Sequence, residues 1–573
     1  MNFAILKNTL IAQKRPPHHI ALIERAYALA HTAHHGQKRM SGEPYIIHPL
    51  ATALRLAEMQ LDASTIAAAL LHDVCEDTPH SLADLRREFG DEIAFIVSGV
   101  TKLNNLRYRG AERSAENLRK MFLAIGEDIR IVLLKLVDRL HNMETLSYLP
   151  PEKQKRIALE TLEIYAPLAY RLGIGELKGQ LEDLAFPYVY PREHEWLMRT
   201  LGQHFDDRRA YIEQIKPMIS KELSAEHILF SDIHARAKHH YSLYKKLVKR
   251  DMDISKIFDL VALRIIVANE EECYSGLGVI HKLWRPLPGL VKDYIALPKP
   301  NGYRSLHTTV FGPETRTVEF QLRTPHMHEE AENGIAAHWA YAEQKNNPSI
   351  SRAIASFATT RELEWITQLR DWQKNFANPN EFLEALKIDF FKDRIFVLTP
   401  KGDAIDLPEG ATPIDFAFQI HSAIGGAAVG AKINGRMVPL DYRLKNGEMV
   451  EILTQKHRTP NVDWLTFVKS AGARKKITSF IKRERENARF ASAKGDAVEI
   501  RLIVRDRIGL LRDISQAFAR QKINMKNVAT EERTSSWSAV VVQAHFKNRA
   551  NLEKIMIRLK EIKGVTEVSY KLL

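Results

Sequence analysis

Cysteine is scarce in this chain: Cys75 and Cys273 are the only two in 573 residues, far apart and each beside acidic neighbours. That count excludes a disulfide framework and a cysteine-based zinc finger, and it fits a reducing compartment, so the cytoplasm is the expected location. Long apolar runs are also missing. No stretch approaches the ~18 consecutive apolar residues of a membrane span, and "MNFAILKNTLIAQKRPP" carries too short an apolar segment for a secretory signal. No internal repeat or low-complexity tract is visible. Acidic residues are in deficit: 83 Lys and Arg against 70 Asp and Glu leave a formal net charge of +13. Such an excess favours anionic partners, nucleotides or RNA among them.

What is present is the composition of an ordinary globular protein, 45% apolar and 27% charged, in a chain long enough for roughly three to five domains. From about residue 20 to 195 apolar residues recur with helical period, as in "IALIERAYALAHTAHHG" and "IRIVLLKLVDRLHNMETL". Between about 225 and 345 short β-rich runs, "LVALRIIVA", "HTTVFG" and "TVEFQLRT", alternate with helices and turns. A helical connector is expected at 346–387, and a small β-rich segment at 388–455 carries the turn signals "PKGD", "NGR" and "KNGE". A basic helical linker, 456–495, leads to residues 496–573, whose strand and helix signals fall in βαββαβ order, the ferredoxin-like pattern. The expected fold class is multidomain α plus α/β.

"LLHDVCEDT", residues 70–78, sets four ionisable groups into an apolar run. If the run is one helix, His72 stacks on Glu76 and Asp73 on Asp77. With His48 in "GEPYIIHPL" and Asp138 in "KLVDRLHNM", two imidazoles and two carboxylates suit a divalent ion such as Mn²⁺, Fe²⁺ or Zn²⁺. Such an ion lowers the pKa of a bound water for attack on phosphorus, and Glu76 and Asp77 could orient that water or handle its protons. Left unpaired in an apolar helix, the same groups would cost several kcal/mol.

A second constellation begins with "HARAKHHYSLYKKLVKR", which holds Arg236, Lys238, Lys245, Lys246, Lys249 and Arg250 without a single acid. It reads either as a solvated helix face or as a triphosphate cradle. Two isolated acids in apolar strands favour the cradle: Asp259 in "IFDLVALR" and Glu319 in "TVEFQLRT". A carboxylate among Val, Phe and Leu needs a cation or a base, and Mg²⁺ shared between carboxylates and substrate phosphates would supply one.

The motifs "HGQKRMSGEPYIIHPL", "AALLHDVCEDT", "GVTKLNNL" and "LVDRLHNMETL", in this order, resemble the hydrolase domain of the RelA/SpoT family, within the HD superfamily of phosphohydrolases. "WRPLPGLVKDYIALPKPNGYRSLHTTV" and "GIAAHWAY" resemble the family's synthetase domain, "DRIFVLTPKGDAIDLPEGATPIDFAFQIHSAIG" a TGS domain, and "VRDRIGLLRDISQAFA" an ACT domain. The domains so implied are an HD-type hydrolase at 1–196, a nucleotidyltransferase-like synthetase at 197–345, TGS at 388–455 and ACT at 496–573. The resemblance implies Mn²⁺-dependent removal of the 3′-pyrophosphate of (p)ppGpp, with His48, His72, Asp73 and Asp138 as ligands. It also implies Mg²⁺-dependent transfer of pyrophosphate from ATP to the 3′-hydroxyl of GDP or GTP.

By the same resemblance Arg39, Ser41 and Tyr45 contact the nucleotide in the hydrolase, and Asn142 and Thr145 complete its pocket. In the synthetase Asp259 and Glu319 hold Mg²⁺, Tyr303 stacks on guanine, and Arg236, Lys238, Arg264, Lys292 and His307 meet ATP or phosphates. Met40 and Leu290 stand where basic residues are usual. His421 stands where tRNA-sensing members contact the acceptor end, which makes tRNA, the ribosome or a regulatory protein expected partners. Only about forty residues separate TGS from ACT, where long members carry a further helical segment and small domain, so ribosome docking by the usual route is doubtful. Two competing readings are a hydrolase with a vestigial synthetase and an RNA-binding nucleotide sensor.

Overall fold

A computed structural model of the chain describes residues 2–104, 124, 127–254, 257, 260–299, 301–337, 394–455, 458–492, 498–534, 537–546 and 549–572. Asp259 and the connector expected at 346–387 lie outside the described residues. Packing divides the chain into two units, 1–394 and 395–573. Among the described residues no helix is long and apolar enough to cross a membrane.

The first unit begins as a helical bundle: α1 (Phe3–Ala12), α2 (Pro17–Ala33), α3 (Ile47–Glu58), α4 (Ala63–Leu71), the single turn α5 (Val74–Asp77), α6 (Leu82–Phe89) and α7 (Asp91–Asn104). Then come α8 (Ile129–Glu144), α9 (Pro151–Glu160), α10 (Ala166–Arg171) and α11 (Gly175–Val189). Starts are written into the sequence: Asp62 and Asp128 cap α4 and α8, and Ser81 with Asp84 forms a capping box at α6. Every residue of α8 from Ile129 to Asp138 is buried, as expected of a helix apolar on all sides. Its polar groups must therefore find partners inside. Arg130 reaches Asp128 at 2.7 Å and Glu92 at 2.6 Å, and Lys135 pairs with Asp138.

Helix α12 (Pro191–Ala225) runs 35 residues without a break, so the domain boundary expected at 196 falls inside it. Leu197 and Leu201 pack against Phe186, while Tyr211, Ile212 and Ile219 join the core of the following sheet. One helix thus serves two hydrophobic cores. Beyond it lie β1 (Phe230–Ala237), α13 (His240–Val248), β2 (Val261–Val267), α14 (Glu270–Leu283), β3 (Lys292–Asp293), β4 (Leu306–Phe311), β5 (Thr317–Arg323) and α15 (Pro325–Asn333). The sheet order is β1-β2-β5-β4-β3, with β2 and β5 parallel and the other pairs antiparallel.

Polar contacts join bundle and sheet. Gly334, at φ +55°, approaches the bundle so closely that a Cβ would meet the Leu172 carbonyl oxygen at 2.3 Å, which demands glycine. His239, beside α13, lies 2.9 Å from Asp183 and 3.4 Å from Glu176, both on α11. Burial opposes charge on this imidazole, but the hydrogen bonds to Asp183 and Glu176 outweigh it and raise its pKa to about 9. A folded pKa above the unfolded value stabilises the protein fully below about pH 6.5, and that contribution is lost as pH rises through 9. His239→Gln is therefore expected to lower the melting temperature at about pH 6, with the deficit closing near pH 10, as scanning calorimetry at both values will show.

The second unit pairs β6 (Arg394–Leu398) with β7 (Ala404–Pro408), followed by α16 (Pro413–Ile420) and α17 (Ser422–Gly426). A three-stranded sheet follows, β8 (Ala428–Ile433), β9 (Arg436–Val438) and β10 (Val450–Thr454), in the order β10-β8-β9. The linker expected at 456–495 contains α18 (Trp464–Phe467) and α19 (Ala471–Ser492). It packs onto this module: Trp464 and Ile477 share a core with Ile414 and Phe418. The last elements are β11 (Val498–Arg505), α20 (Leu510–Arg520), β12 (Met525–Thr534), β13 (Trp537–Ala544), α21 (Arg549–Lys560) and β14 (Val565–Leu572). Their antiparallel order, β12-β13-β11-β14, is the ferredoxin-like one.

Two candidate active sites

The run around His72 is not one helix. Helix α4 stops at Leu71, His72 and Asp73 form its exit, and α5 begins at Val74. The expected stacking of His72 on Glu76 along a continuous helix is thereby corrected. His72 Nε2 lies 3.2 Å from Asp73 Oδ1, and the Asp77 N–H donates to the Asp73 carbonyl at 2.9 Å.

His48 from α3 and Asp138 from α8 close the group. His48 Nε2 lies 3.0 Å from Asp138 Oδ1 and 3.6 Å from Asp73 Oδ2, and His72 Nε2 lies 3.9 Å from Asp138 Oδ1. The donor atoms of His48, His72 and Asp138 all fall within 4.8 Å of one another. His48, His72, Asp73 and Asp138 are 2%, 0%, 7% and 3% exposed. His72 Nδ1 donates to the Ala69 carbonyl at 2.7 Å, the tautomer in which Nε2 is the metal-ligating nitrogen. That nitrogen is buried and makes no hydrogen bond. Burial lowers the His48 pKa, which favours the neutral ring. Burial also opposes charge on Asp138, but the Lys135 ammonium beside it holds the carboxyl well below the usual range. Two imidazoles and the Asp138 carboxylate converging in this way, with Asp73 against both histidines, form a donor set that fits a divalent metal ion.

A cavity of about 310 Å³ opens beside this group, and Arg39, Tyr45, Glu76, Asp77 and Asn142 line it with His48, Asp73 and Asp138. Glu76 and Asp77 are exposed at its rim. The Tyr45 hydroxyl reaches Asp77 Oδ2 at 2.7 Å and Asp73 Oδ2 at 3.0 Å, and burial with these two carboxylates raises its pKa, keeping it a neutral donor. Two expected residues stand apart from the cavity wall. Ser41 turns its hydroxyl toward Glu43 at 3.3 Å, and Thr145 ends α8 with its hydroxyl on the His141 carbonyl at 3.1 Å.

Sequence reasoning missed Lys135, Arg139, Glu160 and Tyr165, which also line the cavity, and His141 beside it. Lys135 and His141 lie three residues before and after Asp138, the spacing that shares a helix face. A lone lysine in "IVLLKLVD" was the available signal, since a buried ammonium needs a counter-ion.

The second site lies on one face of the five-stranded sheet. Val318, Phe320 and Leu322 of β5 point into the core, so Glu319, Gln321 and Arg323 point the other way. Register aligns the cleft residues in rows: Arg236, Ala262, Glu319 and Thr309 in one, and Arg264, Gln321, His307 and Lys292 in the next. Arg236, Lys238, Arg264, Lys292, Tyr303, His307 and Glu319 all line a cleft of about 460 Å³, with Leu290 on its wall. The basic run that could have been a helix face is instead the end of β1 followed by α13. Arg236 and Lys238 therefore enter the cleft from a strand end.

His307 has both nitrogens engaged by protein. Nδ1 is 3.0 Å from Glu319 Oε1, and Nε2 is 2.7 Å from the Tyr303 hydroxyl, which also accepts from Arg323 at 2.9 Å. Arg323 can only donate, so the Tyr303 hydroxyl oxygen accepts from it, and His307 bridges Tyr303 to Glu319. Burial raises the Tyr303 pKa, yet His307 and Arg323 bring it down to about 8. Burial and nearby Lys292 lower Lys299 to about 8, and burial with Arg323 and Arg236 lowers Arg264 to about 10. Gathered cations that depress one another in this way favour an anionic ligand. Gln321, Arg323 and Lys299 escaped the sequence reading because only strand register brings them to the cleft.

In the second unit His421 is exposed between α16 and α17, where its Nδ1 accepts from the Ala423 N–H at 3.2 Å. That is the work of a helix cap.

Comparison with known proteins assigns the segments in the same order. Residues 26–175 match the HD domain, 235–346 the region found in RelA / SpoT proteins, 395–454 the TGS domain and 496–569 the ACT domain. The chain is 48% identical over 478 residues to a GTP pyrophosphokinase of Myxococcus xanthus, covering 83% of this chain and 62% of that protein. It is 46% identical over 495 residues to the guanosine-3′,5′-bis(diphosphate) 3′-pyrophosphohydrolase of Aquifex aeolicus, covering 86% and 69%. Over 476 residues it is 45% identical to the bifunctional (p)ppGpp synthase/hydrolase SpoT of Escherichia coli K12, covering 83% and 67%. The chain spans 62% and 57% of the Myxococcus xanthus and Streptomyces coelicolor pyrophosphokinases it matches. With the HD, RelA/SpoT, TGS and ACT segments in this order and 46% identity across more than two thirds of the Aquifex aeolicus protein, the chain belongs to the RelA/SpoT family.

Proposed function

We propose that the chain both hydrolyses and synthesises (p)ppGpp, at the bundle site and the sheet site respectively. The observation that carries this reading is the coexistence of two polar clefts of opposite character. One holds buried His48, His72 and Asp138 with their donor atoms within 4.8 Å of one another, and the other holds a wall of arginines and lysines around Glu319.

In the hydrolase, His48, His72, Asp73 and Asp138 would hold Mn²⁺. When bound, the ion polarises a phosphoryl oxygen and lowers the pKa of water. Arg39 meets phosphate oxygens, for which its planar fork is suited. Glu76 and Asp77 at the rim take the proton of the attacking water, and Tyr45 holds Asp77 in place. The bond from phosphorus to the ribose 3′ oxygen breaks, giving pyrophosphate and GDP or GTP.

In the synthetase, Arg236, Lys238, Arg264 and Lys292 would bind ATP, and Tyr303 would stack on guanine. Glu319 would share Mg²⁺ with Asp259 and accept the proton of the 3′-hydroxyl, which attacks the β-phosphorus of ATP as AMP leaves. His307 orients Glu319 through the 3.0 Å contact. Positioning and charge neutralisation supply most of such catalysis.

Incubating the full chain with ATP, GDP and Mg²⁺, and separately with ppGpp and Mn²⁺, tests both halves. The expected products are AMP with a 3′-pyrophosphorylated guanosine nucleotide in the first, and GDP with pyrophosphate in the second. Absence of the first product alone would leave a hydrolase, and absence of both would leave a nucleotide sensor.

A further inference from the structure

His141, between the proposed metal ligand His48 and the proposed phosphate contact Arg39, makes contacts that its position beside the cavity does not by itself require. Arg39 Nη1 lies 2.9 Å from His141 Nδ1. A guanidinium has no acceptor, so His141 Nδ1 carries the lone pair and accepts. The same nitrogen lies 2.8 Å from His48 Nδ1. With no proton on His141 Nδ1, the proton must sit on His48 Nδ1, and a neutral His48 then presents its lone pair at Nε2. That atom faces Asp138 Oδ1 at 3.0 Å. Two lone pairs at this distance repel unless a cation lies between them.

The circuit closes on the other side. Arg39 Nη2 donates to Asn142 Oδ1 at 2.6 Å, and Asn142 Nδ2 donates to Asp138 Oδ1 at 2.7 Å. Arg39 is thus hydrogen-bonded, through His141 and Asn142, to a ligand on each side of the donor set.

We propose that His141 is a positioning residue: it fixes the tautomer and ring orientation of His48 for a divalent cation and ties that ligand to Arg39. The proposal rests on reading the bundle site as a metal site. His72 has a backbone carbonyl in the corresponding role, at Ala69, whereas His48 depends on a side chain. A hydrogen-bond partner on the far nitrogen of a ligating histidine commonly governs affinity in this way, and its loss costs about 10- to 100-fold.

The test is a Mn²⁺ titration of the full-length chain, following free Mn²⁺ by its electron paramagnetic resonance signal, with Asp138→Asn as the reference that isolates this site. His141→Leu removes the acceptor. His141→Asn keeps an acceptor oxygen near the position of Nδ1. The expected result is a dissociation constant about 10- to 100-fold higher for His141→Leu and near the wild-type value for His141→Asn. Equal uptake by His141→Leu and the wild type would overturn the proposal. So would equal weakening in both variants, which would reveal a packing role. A wild-type chain that binds no more Mn²⁺ than Asp138→Asn would overturn the metal reading itself, and the proposal with it.

Discussion

Asp138→Asn is expected to abolish Mn²⁺-dependent ppGpp hydrolysis while synthesis from ATP and GDP persists in the same chain. The substitution keeps the size of the side chain and removes the charge on which several groups depend. Asp138 Oδ1 faces His48 Nε2 at 3.0 Å and accepts from Asn142 at 2.7 Å, while the other oxygen pairs with buried Lys135. Loss of a metal site carries away several kcal/mol of transition-state stabilisation, so hydrolysis should fall by about 10³-fold or more. Breaking the pair with Lys135 also removes the carboxylate that faces a buried ammonium, a cost of about 3–5 kcal/mol. Synthesis by the same sample is therefore the control for folding. Chromatography of labelled ppGpp and of the synthesis products reads both, and hydrolysis within tenfold of wild type would remove Asp138 from the site.

Glu319→Gln is expected to have the reverse effect. Glu319 Oε1 is 3.0 Å from His307 Nδ1 and accepts from Gln321 Nε2 at 3.0 Å, and β5 presents it to a cleft otherwise rich in cations. Glutamine preserves the volume but is neither a base nor an anionic ligand. Removing a general base costs about 10²- to 10⁴-fold, and the proposed share in Mg²⁺ binding places the loss toward the upper end. AMP release with GDP as acceptor measures it, while ppGpp breakdown should be unchanged. Synthesis at an undiminished rate would exclude Glu319 from both roles. Opposite phenotypes from the two variants would separate the activities within one chain.

The two sites were legible in the sequence to different depths. For the bundle site, polar residues inside apolar helical runs are costly to bury, so His72, Asp73 and Asp138 stood out by pattern alone. Their partners did not. Lys135 looks like an interruption of "IVLLKLVD", and His141 like one more residue of a helix end, until α3 and α8 bring His48 within 2.8 Å of His141. For the sheet site, Glu319 stood out against Val318 and Phe320, yet Gln321, Arg323 and Lys299 did not. Strand alternation shows which residues share a face of one strand, while the neighbouring strands remain unknown. Only the pairing of β2, β5, β4 and β3 sets Arg264, Gln321, His307 and Lys292 in one row.

A local rule misled at one place. A helical pattern across "LLHDVCEDT" implied a continuous helix, whereas α4 ends at Leu71 and α5 begins at Val74. The boundary expected at 196 falls within α12, which packs into two cores.

By itself the sequence determined the element types, the order of the segments and the residues too polar for their surroundings, because propensity, periodicity and the cost of burial act locally. Tertiary structure decided which of those residues meet, which nitrogen of His48 faces the donor set and which strands lie side by side. Those outcomes depend on contacts between residues as far apart as Arg39 and His141, whose 2.9 Å approach spans 102 positions of the chain.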